Sequence, residues 1–190
     1  MAVKLVKPIN YKNIEKITDA DFEKQLKLLG VNSKFIVALS GGPDSLALLY
    51  LAKNFAKKNN LKFTAVSIDH NLREDSSKEI EWIKKLMKKE KVSFVSKKVR
   101  KKISSSNTLS TARKHRYELL TDVCKKNKFK YLLTAHHLDD EIETFLMRLI
   151  RGSGIKGLSS LKPVSKHKGG EINIIRPLLK YSKKCLIKYL

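Results

Sequence analysis

Six residues, Ser40-Gly41-Gly42-Pro43-Asp44-Ser45, separate a short apolar run, Phe35 to Leu39, from an amphipathic stretch that starts at Leu46 and ends near Lys58. The apolar run reads as a buried strand and the periodic stretch as a helix. A strand that breaks on two glycines and opens a helix leaves several backbone N–H groups unpaired and aimed one way. Together with the positive end of the helix dipole, they form a site for phosphate oxygens. Gly41 and Gly42 let the backbone approach a ligand closely, and Ser40 and Ser45 add hydroxyl donors. Pro43 suits a first helical turn, where its missing N–H costs nothing. No Gly-Lys-Ser/Thr follows the glycines, so this is not a Walker loop. The plainer alternative is a strand–turn–helix connection with a Ser/Asp cap.

The same alternation continues along the chain. Strands are expected at 63–68, 92–99 and 131–135, and helices at 76–89, 108–126 and 139–151. A shorter helix is capped at Thr18 or Asp19 and ends before Gly30. Alternation at these lengths predicts an α/β fold, a doubly wound parallel sheet with helices on both faces. Residues 1–30 read as an N-terminal extension with a short helix, and 31–190 as the main domain. Beyond Arg151 the pattern is less regular: a glycine-rich loop, a polar turn over 166–170, a strand near 172–176 and a helix from Ser182. Ligands of such sheets bind outside the carboxyl ends of the strands. Ser40 to Ser45, Asp69-His70 and the stretch from His136 to Glu143 all fall at or near such ends.

That third stretch belongs to Thr134-Ala135-His136-His137-Leu138-Asp139-Asp140-Glu141-Ile142-Glu143-Thr144. On a helix Asp140, Glu143 and Thr144 share one face, and Ile142, Phe145, Leu146 and Leu149 share another, expected to pack inward. Carboxylates in a first helical turn stay ionised and suit either Mg²⁺ on a nucleotide or an incoming ammonium. They also serve as plain helix stabilisers. Arg113 and Arg116 stand one turn apart and offer two planar forks of donors to phosphate. Arg148, Arg151 and Lys156 flank the glycine-rich loop and are expected to meet RNA phosphate.

Composition narrows the partner. Forty-one Lys and Arg against eighteen Asp and Glu give a net charge of +23, which suits a polyanion. Cys124 and Cys185 stand far apart without a Cys-x-x-Cys spacing, which argues against a disulfide framework, a zinc ribbon or an iron–sulfur centre held by this chain alone. Reduced thiols, no secretory signal and no ~20-residue apolar span point to a cytoplasmic protein off the membrane.

Taken in order, five strings resemble those of the bacterial tRNA(Ile)-lysidine synthases, a branch of the N-type ATP pyrophosphatases: Ser40 to Ser45, Asp69 to Arg73, Ala112-Arg113 to Arg116-Tyr117, Thr134 to Thr144, and Arg148 to Leu158. The resemblance runs from about Lys34 to Leu190 and implies an adenine nucleotide alpha-hydrolase-like, Rossmann-like fold. It also implies that ATP activates the 2-oxo group of the wobble cytidine of tRNA(Ile), and that the ε-amine of free L-lysine then displaces AMP. On that reading Ser40, Gly41, Gly42, Pro43, Asp44, Ser45, Asp69 and His70 bind ATP. Asp44, His136, Asp140, Glu143, Arg113 and Arg116 do the chemistry, and Asp44 and Asp140 hold Mg²⁺. Arg148, Arg151 and Lys156 bind tRNA, and a homodimer is allowed. Family members usually continue past the point where this chain stops, into regions that help recognise tRNA. A tRNA-thiolating enzyme of the same superfamily and a non-catalytic nucleotide- or tRNA-binding module are the alternatives.

Overall fold

The computed structural model describes residues 16–69, 76–99, 108–152, 161–167 and 169–190. Six strands form one sheet in the order β3-β2-β1-β4-β6-β5. They are β1 (Phe35–Ala38), β2 (Phe63–Asp69), β3 (Ser93–Lys98), β4 (Tyr131–Leu133), β5 (Val164–Lys166) and β6 (Asn173–Ile175). All pair in parallel except β5, which runs antiparallel to β6. The helices are α1 (Asp19–Leu28), α2 (Pro43–Lys58), α3 (Ser76–Lys89), α4 (Thr108–Lys126), α5 (Leu138–Ile150) and α6 (Lys183–Tyr189).

Alternation along β1 explains the layers. Phe35 and Val37 point into a cluster with Ala47, Leu48, Leu51, Ala52 and Phe55 of α2, Phe22 and Leu26 of α1, and Leu186 of α6. Ile36 and Ala38 point the other way, onto Leu120, Val123 and Cys124 of α4. Ile83 and Met87 of α3 join Leu39, Leu49 and Ala65 in a third cluster. Each large apolar side chain fully buried this way contributes about 1.5–3 kcal/mol. Helix α1 shares its apolar cluster with α2 and the sheet. Its cap, Thr18, accepts a hydrogen bond from the Asp21 N–H.

The chain winds outward from β1 through β2 to β3, then crosses back so that α4 delivers β4 to the other side of β1. The strand order therefore reverses between β1 and β4, and a crevice opens at their carboxyl ends. The motifs at 40–45 and 134–140 meet there.

Two expectations are corrected. The polar turn expected from residue 166 is instead preceded by β5, which uses Lys166 itself; three residues of mixed polarity carry no periodic signal. The expected inward packing of α5 is not observed. Ile142, Phe145, Leu146 and Leu149 are 49%, 40%, 49% and 51% exposed, and none of the helix's residues is buried. The first turn sets this rotation. Leu138 N–H donates to the Tyr181 carbonyl, Asp139 accepts the Lys183 N–H, and His137 bridges Leu178. With that turn fixed, half-buried Glu141, Thr144 and Arg148 lie on the inner side, and the apolar stripe turns outward.

Candidate active site

The segment between β1 and α2 turns directly from strand into helix. Gly41 has φ +87°, and a Cβ there would lie 3.1 Å from Ile83 Cδ1, so only glycine fits without strain. Gly42, the N-cap of α2, has no side chain with which to accept the first-turn N–H groups, and Pro43 has no N–H. The amides of Asp44 and Ser45 are thus left to a ligand. The serines behave differently from free donors. Ser45 is buried, its hydroxyl donates to the Gly42 carbonyl at 2.9 Å, and it accepts from Ser40 N and Ser40 Oγ at 3.2 and 3.1 Å. This hydroxyl network shapes the loop and leaves the two serine hydroxyls already engaged.

Across the loop lies a cleft of about 170 Å³, with Ser40, Asp44, Ser45, Arg116, His136 and Asp140 among its walls. Arg116 is largely withdrawn from water, which works against its charge. The Arg113 charge works against it further, and among the described residues no carboxylate forms an ion pair with Arg116. A guanidinium in that situation is a site for an anion.

His136 receives its proton arrangement from its neighbours. Arg113 has only donors to offer, so its Nη2, 3.3 Å from His136 Nε2, requires a lone pair on that nitrogen. The ring proton therefore sits on Nδ1 and is donated to Thr134 Oγ1 at 3.0 Å. Burial, then the Arg113 charge, push the imidazole down to about 4, and it is neutral at physiological pH.

His137 is a residue of the cleft region to which the sequence reading assigned no role. It is buried, and its Nε2 lies 3.6 Å from both Asp44 Oδ2 and Asp140 Oδ2, with Nδ1 3.4 Å from Asp139 Oδ2. One imidazole thus draws the carboxylates of α2 and α5 together. Its only sequence signal is its place as the residue before a helix that opens with two acids. Asp140 also accepts the His137 N–H at 2.9 Å, closing the first turn of α5.

The carboxylates fit a divalent cation. Asp44 Oδ1 is buried and has no hydrogen-bond partner. Among the described residues no group of three or more His, Cys, Asp and Glu makes a metal cage. Mg²⁺ held by one or two carboxylates and substrate phosphates needs none.

Asp69 ends β2, next to β1, and is nearly buried. Glu143 is exposed, one turn beyond Asp140, and lies outside the cleft walls. Arg148 and Arg151 stand at the far end of α5. His70 and Lys156 lie outside the described residues.

The model of the PP-loop domain family matches residues 13–190. The chain belongs to the PP-loop domain family. The segment 40–45, the candidate PP-loop, lies at the strand-order reversal. Relatives include the tRNA(Ile)-lysidine synthase of Rickettsia bellii (strain OSU 85-389), 47% identical over 158 residues, which cover 83% of this chain and 36% of the relative. That of Wolbachia pipientis wMel is 46% identical over 161 residues, covering 83% and 37%. The chain thus spans little more than a third of the length of these relatives. Among solved structures, the U34-tRNA thiolase NcsA from Methanococcus maripaludis, with its [4Fe-4S] cluster, superposes with a TM-score of 0.75 at 22% identity, over 90% of this chain and 61% of that one. The NH3-dependent NAD synthetase of Campylobacter jejuni gives 0.55 at 14% identity, over 90% and 68%. These two likenesses establish the fold alone: a PP-loop α/β sheet.

Proposed function

We propose that this PP-loop domain carries the chemistry of a tRNA(Ile)-lysidine synthase, an ATP-dependent ligase of the cytoplasm. The observation in its favour is Arg116, a half-buried guanidinium with no ion-pair partner among the described residues, set on the same cleft as the uncapped start of α2. The pair suits the polyphosphate of ATP.

A cytidine carbonyl oxygen is a poor leaving group. In the proposed first step the wobble cytidine O2 attacks the α-phosphorus of ATP, and pyrophosphate leaves. The amides of the PP-loop and the Arg116 guanidinium hold the phosphates and stabilise the charge that builds on the leaving group. Mg²⁺, held by Asp44 and Asp140, would neutralise phosphate charge when bound. In the second step the lysine ε-amine attacks C2, and the former cytidine oxygen departs with AMP. Asp140 and Glu143 steer the ammonium and take its proton. His136, neutral and with Nε2 engaged, serves as the acceptor that aims Arg113 toward the cleft. Arg148, Arg151 and Lys156 meet tRNA phosphate, in keeping with the net charge of +23. A homodimer is part of the proposal, and the uncovered apolar face of α5 is the observation in its favour.

Thiolation fits less well. Cys124 is buried on the inner face of α4 with its thiol pushed up to about 12 by burial, and Cys185 is buried in the separate cluster against α2. A buried, protonated thiol is a weak nucleophile.

The test supplies ATP, Mg²⁺, labelled lysine and an isoleucine tRNA with a cytidine wobble base. The expected products are AMP, pyrophosphate and acid-precipitable lysine. ADP as the main product, or tight tRNA binding without incorporation, would overturn the proposal.

A further inference from the structure

Helix α3 carries a surface that the proposed reaction leaves unused. Ile83 and Met87 are buried beneath it, yet Trp82, the single tryptophan of the chain, is 51% exposed. At about 100° per residue, Lys78, Lys85 and Lys89 fall within roughly 60° of Trp82 on the helix surface, with Glu79 on the opposite flank. All three lysines are exposed. This face also adjoins the PP-loop: a Cβ at Gly41 would lie 3.8 Å from Trp82 Cζ3. The rim of the indole therefore rests beside the loop while much of the ring stays open to solvent.

Isolated exposed apolar residues are ordinary. This one differs in its surroundings, because a large aromatic ring sits beside a stripe of cations and adjoins the candidate PP-loop. Unpaired bases stack on such faces, and neighbouring lysines track their phosphates. Paired bases keep their faces within the duplex and offer no stacking partner.

We propose that Trp82 is a stacking platform for an unpaired nucleobase, with Lys85 and Lys89 holding the adjacent phosphates. The proposal rests on the RNA-modifying reading above and adds a binding surface to it. The nucleobase has two sources, the adenine of ATP and an unpaired base of the RNA substrate, and the experiment separates them.

Because Trp82 is the only tryptophan, its emission reports on this surface alone. The full chain is titrated with ATP, with an RNA hairpin bearing an unpaired loop, and with a fully paired RNA of equal phosphate count. Quenching by the hairpin and not by the duplex assigns the platform to the RNA. Quenching complete with ATP, and unchanged on adding hairpin, assigns it to ATP. In the RNA case Trp82→Ala should weaken hairpin binding by about 5- to 150-fold and leave duplex binding unchanged. Trp82→Phe, which keeps a stacking face, should restore most of the loss. The double change Lys85→Gln and Lys89→Gln should lower the slope of log K against log salt by about two. Circular dichroism confirms that each variant is folded. No emission change with either ligand, equal quenching by the duplex, or hairpin and ATP affinities unaltered in Trp82→Ala would overturn the platform. Normal lysine incorporation by wild type alongside any of these outcomes would leave the reaction standing, whereas absence of AMP and incorporation with clear quenching would remove the reaction and keep the platform.

Discussion

Replacing Arg113 by methionine should raise the pKa of His136 without returning it to the ordinary 6.5. The wild-type imidazole sits at about 4, and burial contributes more to that than the Arg113 charge 3.3 Å away. Removing one adjacent charge recovers about one pH unit, leaving a value near 5. The sign of the stability effect follows from proton uptake. Between pH 6.5 and 4 the unfolded chain binds a proton here that the folded chain does not. Stability is full above pH 6.5, falls as the pH drops through that window, and levels off below pH 4. A gap of this size is worth about 3 kcal/mol at its limit. Urea unfolding at a series of pH values measures it as the difference between wild type and His136→Gln, which removes the titration. Glu23, held down at about 2 chiefly by its hydrogen bond from Lys27, acts mainly below pH 4.5 and cancels in the difference. NMR titration of the His136 ring gives the pKa directly. A wild-type value near 6.5, or equal acid slopes in the two proteins, would refute the argument.

Two further outcomes follow from groups left without partners. Arg116→Met should abolish ATP binding, measured by calorimetry, while leaving the urea midpoint unchanged or higher, since it removes a half-buried charge with no ion-pair partner among the described residues. Leu146→Gln, on the uncovered face of α5, should change the stability of the dilute monomer by no more than about 0.5 kcal/mol, while weakening any self-association through that face. Leu48→Ala, in the cluster beneath α2, should cost about 2–5 kcal/mol; similar costs at the two positions would mean that the α5 face is covered.

The central sheet and its helices are legible in the sequence where period and punctuation agree. β1, α2, β2, α3 and α4 each combine a clean apolar rhythm with glycine, proline or polar breaks. β3 keeps its place despite Lys97 and Lys98 because it is an edge strand, where lysine is tolerated and discourages further pairing. β5 is too short to carry a period. The α5 rhythm is equally clear, yet rhythm identifies an apolar stripe without saying what lies opposite it. That depends on how Leu138, Asp139 and His137 anchor the first turn to the segment after β6. His137 is hidden for the same reason. Its partner Asp44 is 93 residues away, and the two meet because the strand order reverses between β1 and β4.

Departures from local stability rules cluster at that reversal. α1 and α6 begin on Thr18 and Ser182, whose side chains accept first-turn N–H groups. α2 begins on Gly42, which accepts none, directly after a left-handed Gly41. The same cleft holds a guanidinium with no ion-pair partner among the described residues, a histidine held neutral, and Asp44 with one oxygen buried and unbonded. Each of these raises the free energy of the folded chain. Scattered over the molecule they would be unrelated defects. Gathered around one crevice, with donors on two sides and carboxylates on a third, they are complementary in charge to a magnesium-bound polyphosphate, which would satisfy the amides, Arg116 and Asp44 together.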